Sequence, residues 1–324
     1  MSDAIVIKSV TKTFGPKIAV KDLDLVVPAG SLCGFIGPNG AGKTTTIRMI
    51  MSIIFPDSGT ISVLGRPSAI ESKDRIGYLP EERGIYRKMR VASFLTYIAR
   101  LKGIDASAAT VKVREWLGRV GLEREARKKC EELSKGMQQK VQFIAAVIHE
   151  PDLLILDEVF SGLDPVNRRL MRDLISEQSS SGRTIVFSTH AMYEAEQLCD
   201  RIFMIHKGVK TLDMPLEAVW SRHDPRTIIV EAIDQSIPGL EARVNLPGIR
   251  SFKPTDHGFE LHLEDRADPA TLMSSLAQVG RLRRIELKRP SLEDIFIELV
   301  GDADALNAPK EAIHAPGAPV PVAS

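Results

Sequence analysis

The sequence predicts an α/β protein with a mostly parallel sheet, followed by a small C-terminal α+β domain. Short apolar segments, such as 31–36, 153–156 and 184–188, alternate with helical segments, as in parallel sheets that are covered by helices. Gly42, Asp157 and His190 fall just after these segments, and such sheets bind ligands at the carboxyl ends of their strands. After about residue 222 the alternation ends, which indicates a second structural unit.

Strands are predicted in the first region where short apolar or alternating runs lie between turn residues. These runs are 4–10, 19–27, 31–36, 60–64, 75–79, 153–156, 184–188 and 201–206. Helices are predicted where apolar residues recur at helical spacing. These segments are 44–54, 91–102, 106–120, a helix that ends at 149, 167–179 and 193–199. A charged, helical stretch at about 82–132 is interpreted as an insertion, and residues 1–222 as one α/β domain.

The second unit, residues 223–301, has strand and helix patterns but no chemical motif. Its predicted strands are 226–232, 259–263 and 281–287, and its predicted helices are 268–278 and 291–300. Ser291 is the expected N-cap of the last helix. Alanine and proline dominate residues 302–324, so we predict a disordered tail there.

The composition is that of an ordinary soluble globular protein, with 44% hydrophobic and 26% charged residues among 324. A net charge of +1 gives no reason to expect nucleic acid as a partner. Cys33, Cys130 and Cys199 lie far apart in the sequence, which favours inert thiols over a disulfide or zinc site. No segment has the roughly 20 apolar residues that a membrane-spanning helix needs. Any membrane role is therefore expected to be peripheral.

The clearest motif lies between a predicted strand and a predicted helix and fits G-x-x-x-x-G-K-[ST]. It comprises Gly37, Pro38, Asn39, Gly40, Ala41, Gly42, Lys43, Thr44 and Thr45. Backbone N–H groups and a helix N-terminus would form an anion site, with Lys43 on the β- and γ-phosphates and the Thr44 hydroxyl on Mg²⁺. The alternative, a glycine-rich turn with a chance lysine, is disfavoured by the flanking strand and helix. The motif predicts a nucleoside triphosphate with Mg²⁺.

Two carboxylates, Asp157 and Glu158, end the apolar segment 153–156. Two acidic residues at the end of a buried strand are costly to desolvate unless a cation lies opposite them. Asp157 would hold Mg²⁺ through its water shell, and Glu158 could accept a proton from an attacking water. The alternative is a solvated strand end. Phosphate loop and acidic strand together leave ATPases, kinases and GTPases open.

Further motifs make the chain resemble the ATP-binding subunits of ABC transporters from about residue 4 to residue 220. Residues 133–138, Leu-Ser-Lys-Gly-Met-Gln, resemble the signature motif of that family, with Lys135 in place of the usual Gly and Met137 in place of the usual Gln. Residues 161–164, Ser-Gly-Leu-Asp, resemble the loop after the catalytic glutamate and end in Asp164. His190 matches the switch histidine, and Phe14 the aromatic residue that stacks on adenine.

The resemblance implies a P-loop NTPase-type fold, with a mostly parallel sheet, an antiparallel β subdomain and a helical insertion. It also implies ATP, Mg²⁺ and a head-to-tail dimer with a second copy or a paralogous subunit. In that dimer Ser134 and Gly136 of one subunit cap the γ-phosphate that Lys43 of the other holds. Glu158, His190 and Lys43 would be catalytic. The work would be done in a separate transmembrane permease, with this chain peripheral at the cytoplasmic face of the membrane.

One departure from the family pattern concerns the metal. The family usually has Gln where this chain has Glu81, which could still accept a hydrogen bond from a metal-bound water. The variant at residues 80–84, Pro-Glu-Glu-Arg-Gly, and the C-terminal segment 290–296 resemble a subgroup of bacterial exporter ATPases. The resemblance places the permease contact at residues 82–97. We expect apolar contacts from Ile85, Tyr86 and Met89, unless these side chains pack internally.

Two rival functions follow from the same motifs. The first is a soluble ABC-type ATPase of translation or DNA repair, but such proteins usually carry two cassettes or a long coiled coil. The chain has one phosphate loop and no sustained heptads. The second is a module that binds ATP without hydrolysing it, against which Glu158 and His190 both argue. An ATPase that drives efflux is therefore the favoured interpretation.

Overall fold

The computed structural model describes residues 3–82, 84–222, 226–233, 247–264, 266–278 and 281–307. The strands are β1 (Asp3–Phe14), β2 (Lys17–Pro28), β3 (Leu32–Ile36), β4 (Ser58–Val63), β5 (Ile76–Leu79), β6 (Leu153–Asp157), β7 (Thr184–Thr189), β8 (Arg201–His206), β9 (Val209–Pro215), β10 (Thr227–Ala232), β11 (Ile249–Thr255), β12 (Gly258–Leu263) and β13 (Leu282–Lys288). The helices are α1 (Lys43–Ile50), α2 (Val91–Leu101), α3 (Ala106–Arg119), α4 (Lys135–Val147), α5 (Pro165–Ser180), α6 (Met192–Leu198), α7 (Leu216–Arg222), α8 (Pro269–Ala277) and α9 (Leu292–Asn307). Among the described residues, no helix has both the length and the apolar character to cross a bilayer.

The central sheet has the strand order β5-β6-β7-β3-β8-β9, in which the first five strands are parallel and β9 is antiparallel to β8. Every residue of β3, β6 and β7 is buried, because both faces of the sheet are covered. These three strands are neighbours, so their carboxyl ends lie side by side. The residues that follow them meet at one edge.

The remaining strands of the first region, β2, β1 and β4, form an antiparallel sheet. Its apolar face packs with β3 and α1 in one hydrophobic core, to which Ile7, Val20, Phe35 and Ile47 belong. A second core on the other side of the central sheet joins it to α2, α3, α4 and α5. Parallel sheet, antiparallel sheet and intervening helices confirm the predicted fold class.

Three elements of the first region differ from the prediction. Helix α1 ends at Ile50 rather than 54, because Ser52 takes φ 55° and the N–H of Ile53 turns back to the carbonyl of Arg48 at 2.9 Å. Strand β9 and helix α7 were not predicted, since 201–206 was taken as the last strand. Strand β9 is an edge strand, and its polar side chains interrupt the apolar run or alternation that would predict a strand. The positive φ of Lys207 and Gly208 marks the tight hairpin between β8 and β9.

The C-terminal region forms a four-stranded antiparallel sheet, β11-β12-β10-β13, with Leu272 and Leu276 of α8 in its core. Strand β11 was missed because exposed polar residues interrupt its pattern. Helix α9 continues to Asn307, six residues into the predicted disordered tail. The rest of that tail, 308–324, lies outside the described residues. The predicted domain boundary at 222–223 falls at the edge of another such segment, 223–225.

Helix α9 also packs on the first region. Ser291 accepts a hydrogen bond from the N–H of Asp294, as expected of an N-cap. The N–H of Leu292 donates to Oε1 of Glu196 in α6 at 2.5 Å. Leu292 and Ile295 are fully buried in the core that contains α4 and α5. The last helix is thus part of the packing around the central sheet.

Candidate active site

The phosphate-loop residues follow β3, and α1 begins at Lys43. Gly42 has φ 115°, and a Cβ there would lie 2.6 Å from the carbonyl oxygen of Ala19. A Cβ on Gly37 would lie 2.2 Å from the carbonyl oxygen of Ile205. Only glycine fits at these two positions, because the backbone of neighbouring strands approaches the loop closely.

Lys43 is only 5% exposed, and its ammonium rests on the loop itself. Nζ donates to the carbonyl oxygens of Gly37 at 2.8 Å and Pro38 at 3.2 Å, and it lies 3.4 Å from Oε1 of Glu158. The loop thus holds a buried cation over its own backbone. An anionic group in the cavity would be a stronger partner for that ammonium than the two carbonyls.

Asp157 ends β6 and is completely buried. The Ser188 hydroxyl, on the adjacent strand β7, donates to its Oδ1. The Thr44 hydroxyl lies 3.4 Å from the same oxygen and 3.4 Å from Oε2 of Glu81. Burial raises the pKa of Asp157, and the nearby carboxylates of Glu81 and Glu158 raise it further, although the Ser188 hydrogen bond acts in the opposite direction.

The second carboxylate oxygen of Asp157, Oδ2, is buried and has no hydrogen-bond partner within the described residues. Leaving such an acceptor unpaired costs free energy unless a ligand satisfies it. Thr44, Asp157 and Glu81 together offer one hydroxyl and two carboxylates, which are oxygen ligands of the kind that Mg²⁺ prefers. The arrangement therefore fits a magnesium ion.

Glu158 follows Asp157 and takes a left-handed backbone conformation, with φ 51°. Its N–H contacts both the carbonyl oxygen of Ser188 at 3.2 Å and the hydroxyl oxygen of Ser188 at 3.1 Å. Its carboxylate lies between Lys43 on one side and His190 on the other, whose Nδ1 is 2.9 Å from Oε2. Glu158 is 7% exposed and His190 is 51% exposed, so the pair forms a buried base beside a solvent-facing ring.

One cavity of about 320 Å³ joins Lys43, Glu81 and Glu158 to Phe14. Its lining residues are Phe14, Lys17, Ala19, Asn39, Gly40, Gly42, Lys43, Thr44, Thr45, Glu81 and Glu158. The Phe14 ring is 51% exposed, with Nζ of Lys12 at 5.5 Å from its centroid. The cavity thus has an aromatic surface at one end and carboxylates at the other.

Three residues that were predicted to contact nucleotide lie elsewhere, at the starts of α4 and α5. The Ser134 hydroxyl caps α4 by accepting from the N–H of Met137 at 3.3 Å. Asp164 caps α5 by accepting from the N–H of Asn167 at 2.9 Å. Gly136 lies beside Asn167, since a Cβ on it would be 3.4 Å from that amide nitrogen. None of the three lines the cavity of Lys43.

Two side chains near Glu158 were not predicted as site residues. Ser188 connects Asp157 to the backbone of Glu158, as described above. Gln139 of α4 donates from Nε2 to the carbonyl oxygen of Val159 at 3.1 Å. No motif marks Gln139, but Ser188 follows from its position on the strand beside β6, where a hydroxyl reaches the neighbouring carboxylate.

Of the three apolar residues predicted to face a permease, the structure leaves one exposed. Ile85 is 7% exposed and belongs to the core, so the prediction is wrong for it and the internal-packing alternative is right. Met89 is partly buried against the same core. Tyr86 is 53% exposed and packs edge-on against Phe94 and Tyr97.

Comparisons with known proteins agree with the motifs. The family model described as "ABC transporter" matches residues 20–161, and the model "ATP-binding protein DrrA1-3-like, C-terminal domain" matches residues 215–300. The uncharacterized ABC transporter ATP-binding protein YhaQ of Bacillus subtilis is 42% identical, over 92% of this chain and 98% of that protein.

Two further relatives have export-related names. The Nod factor export ATP-binding protein I of Burkholderia lata is 35% identical, over 91% of this chain and 96% of its own length. The linearmycin resistance ATP-binding protein LnrL of Bacillus subtilis is 31% identical, over 91% and 97%. A solved structure titled as an ATP-binding subunit of an ABC transporter has a TM-score of 0.63 at 29% identity, and covers 68% of this chain and 92% of that one.

Proposed function

This chain belongs to the ATP-binding subunits of ABC transporters, which are ATPases, and we propose that its cavity binds and hydrolyses ATP to drive a membrane permease in export. The observation that carries the proposal is the cavity lined by Lys43, Thr44 and Glu158, with Asp157 in contact with Thr44 and His190 in contact with Glu158. Relatives over the whole chain are transporter subunits, so the alternative of translation or DNA repair has no support. The contact between the buried Glu158 and His190 argues against a non-hydrolytic module.

We assign roles as follows. Phe14 stacks on adenine, the loop N–H groups of residues 37–45 bind the phosphates, and Lys43 leaves its two carbonyl partners for the β- and γ-phosphates. Glu158 accepts a proton from the attacking water. His190 contacts the γ-phosphate and orients that water. Thr44, Asp157 and Glu81 would hold Mg²⁺, whose charge would offset that of the triphosphate.

The starts of α4 and α5 do not line this cavity, so they do not contact the nucleotide of their own subunit there. We propose that Ser134, Gly136 and Asp164 face the nucleotide of a second subunit, either an identical copy or a paralogue, in a head-to-tail dimer. ATP then binds between two subunits and favours the closed dimer, and hydrolysis removes that preference. The exposed Ser134, at the N-terminus of a thirteen-residue helix, suits an added γ-phosphate.

We further propose that the chain docks peripherally on a permease at the cytoplasmic face of the membrane. The exposed apolar side chains of Tyr86, Tyr97 and Leu101 support this contact. The names of the Nod factor and linearmycin relatives support an exporter. We also propose an ATP-binding domain, residues 1–222, and an accessory domain, residues 223–301; two separate family models, over residues 20–161 and 215–300, support a division into two regions.

The test uses the full-length chain with Glu158→Gln. We expect this variant to bind Mg-ATP, to lose at least about 100-fold in turnover and to accumulate as an ATP-dependent dimer in sedimentation. Glu115→Gln, at an exposed position on α3, is the control and should behave as wild type. A variant that stays monomeric at saturating Mg-ATP would rule out the dimer, and one that keeps turnover would rule out the role of Glu158.

A further inference from the structure

The start of α4 and the catalytic carboxylate are joined by a side chain that no motif marks. Gln139 lies five residues after Ser134 on α4, which is roughly 7 Å along the helix axis. Its Nε2 donates to the carbonyl oxygen of Val159 at 3.1 Å. Val159 is the residue directly after Glu158 and is fully buried. One helix therefore carries Ser134 at its exposed end and holds the backbone next to Glu158 at its middle.

The segment that Gln139 holds is conformationally demanding. Glu158 has φ 51°, a left-handed conformation that costs a side-chain-bearing residue free energy and persists only where several contacts enforce it. On one side, Ser188 binds the N–H of Glu158. On the other side, the N–H of Ser161 donates to the carbonyl oxygen of Glu158 at 3.0 Å. Gln139 holds the carbonyl group of Val159, which lies within the turn that the Ser161–Glu158 bond closes. This contact comes from α4.

We infer that Gln139 is a positioning residue that couples the α4 N-terminus of each subunit to the Glu158 of the same subunit. The inference rests on the proposed function, in which that N-terminus meets the nucleotide of the partner. A helix moves as one unit, so a ligand that shifts or orders the start of α4 also shifts or orders the carbonyl that Gln139 holds. Each subunit thereby aligns its own Glu158 when it engages the ATP of the other.

Two consequences follow from linkage. Turnover at one site depends on occupancy of the other, because Glu158 is aligned only when the α4 N-terminus is engaged. Since coupling in binding is reciprocal, the alignment of Glu158 also changes the affinity of α4 for the partner's nucleotide. Loss of the Gln139 contact should therefore lower both kcat and the Hill coefficient for ATP. ATP binding by the single subunit should change little, because Phe14 and Lys43 are untouched.

The chain offers a matched control on the same helix. Lys140, the next residue, is also half-buried and donates from Nζ to a backbone carbonyl at 3.1 Å. Its acceptor is Val120, after α3, which lies outside the catalytic segment. Both contacts join α4 to a backbone carbonyl 20 positions away in the sequence. Gln139→Met and Lys140→Met remove the same kind of contact and create the same residue.

The experiment measures ATP turnover of the full-length chain against ATP concentration for wild type and both variants. We expect Gln139→Met to lower kcat by about 5- to 10-fold and to lower the Hill coefficient towards one. Gln139→Glu, which has the same shape but only acceptors when ionised, should be impaired at least as much. The kcat of Lys140→Met should stay within about 2-fold of wild type, and its Hill coefficient should be unchanged. This should hold even if its melting temperature falls by as much as that of Gln139→Met.

Either of two outcomes would overturn the inference. Equal losses of kcat in the two methionine variants would mean that α4 is only anchored. Wild-type turnover and cooperativity in a folded Gln139→Met would mean that the contact does nothing. A wild type that neither dimerises on ATP nor shows cooperativity would instead refute the dimer proposal itself, and with it this coupling.

Discussion

The cavity after β3 and the pair of helix caps at α4 and α5 are built in opposite ways. The cavity buries the charges of Lys43 and Glu158, and beside it Oδ2 of Asp157 has no hydrogen-bond partner within the described residues. At the caps, Ser134 and Asp164 are exposed and already paired with their own helices. The first region needs a ligand to complete it, whereas the second is complete without one. This contrast explains why the cap residues would act only on a nucleotide brought by another subunit.

The largest expected effect tests which region binds ATP in the single chain. Lys43→Ala removes the buried ammonium and should weaken ATP binding by about 100-fold or more, because a charge-assisted contact to phosphate is lost in a buried site. Ser134→Ala should leave that affinity unchanged when the chain is too dilute to dimerise. Calorimetric titration with Mg-ATP measures both. Equal losses of ATP affinity in the two variants would show that the two regions do not differ in ATP binding.

The next largest effect concerns Ser188, whose hydroxyl contacts both the carboxylate of Asp157 and the backbone N–H of Glu158. Ser188→Ala leaves Asp157 and the strained Glu158 without their shared hydroxyl, so kcat should fall by about 10- to 100-fold, while ATP affinity should stay within about 2-fold. Ser188→Thr keeps the hydroxyl and should recover most of the loss. If the alanine and threonine variants turned over ATP equally, the hydroxyl would have no part in positioning.

Two substitutions of Ser134 separate its capping of α4 from its proposed contact with phosphate. Ser134→Ala removes the cap of α4 and should cost about 1 kcal/mol of unfolding free energy, measured by denaturant titration. Ser134→Asp keeps a good cap and stability but puts a negative charge where the γ-phosphate of the partner is expected. In the Glu158→Gln background it should prevent the ATP-dependent dimer. A stable dimer of the aspartate variant would show that α4 does not face the phosphate.

The smallest effect is a pH dependence at the other cap. Hydrogen bonds from the backbone and side chain of Asn167 lower the pKa of Asp164 below 3.8. Since the folded pKa is depressed, the stabilisation is present above 3.8 and is lost as pH falls through the lower folded value. Asp164→Ala should therefore melt lower than wild type near neutral pH, with the difference shrinking in strong acid. A constant difference across that range would show that the charge of Asp164 is irrelevant to the cap.

The sequence predicted the parts of the site that depend on local pattern. The phosphate loop needs glycine at 37 and 42 for steric reasons, and short buried strands place Asp157 and His190 at one edge. Such features are read from spacing because strand and helix periods fix them. The motifs also led to the family that the comparisons confirmed.

Other features could not be predicted from the sequence, because contacts with residues far away in the sequence determine them. Ile85 looked like a surface anchor, yet its burial depends on α2 and α4, which a linear pattern does not place. Edge strands such as β9 and β11 carry polar residues on their exposed side, so no alternation marks them. The reach of Gln139 to Val159 depends on where α4 lies relative to the segment that follows β6. Pairing across the fold, rather than local propensity, decided each of these cases.

Helix α9 has a consequence for the order in which this protein can be made. Leu292 and Ile295, near the end of the chain, complete the core that contains α4 and α5. A ribosome releases them only after it has synthesised all of the residues that precede them. The region that carries the phosphate loop therefore keeps part of its apolar interior open until α9 has been made. A chain that stops at residue 222 would carry every motif of the cavity and still lack the side chains that close its core.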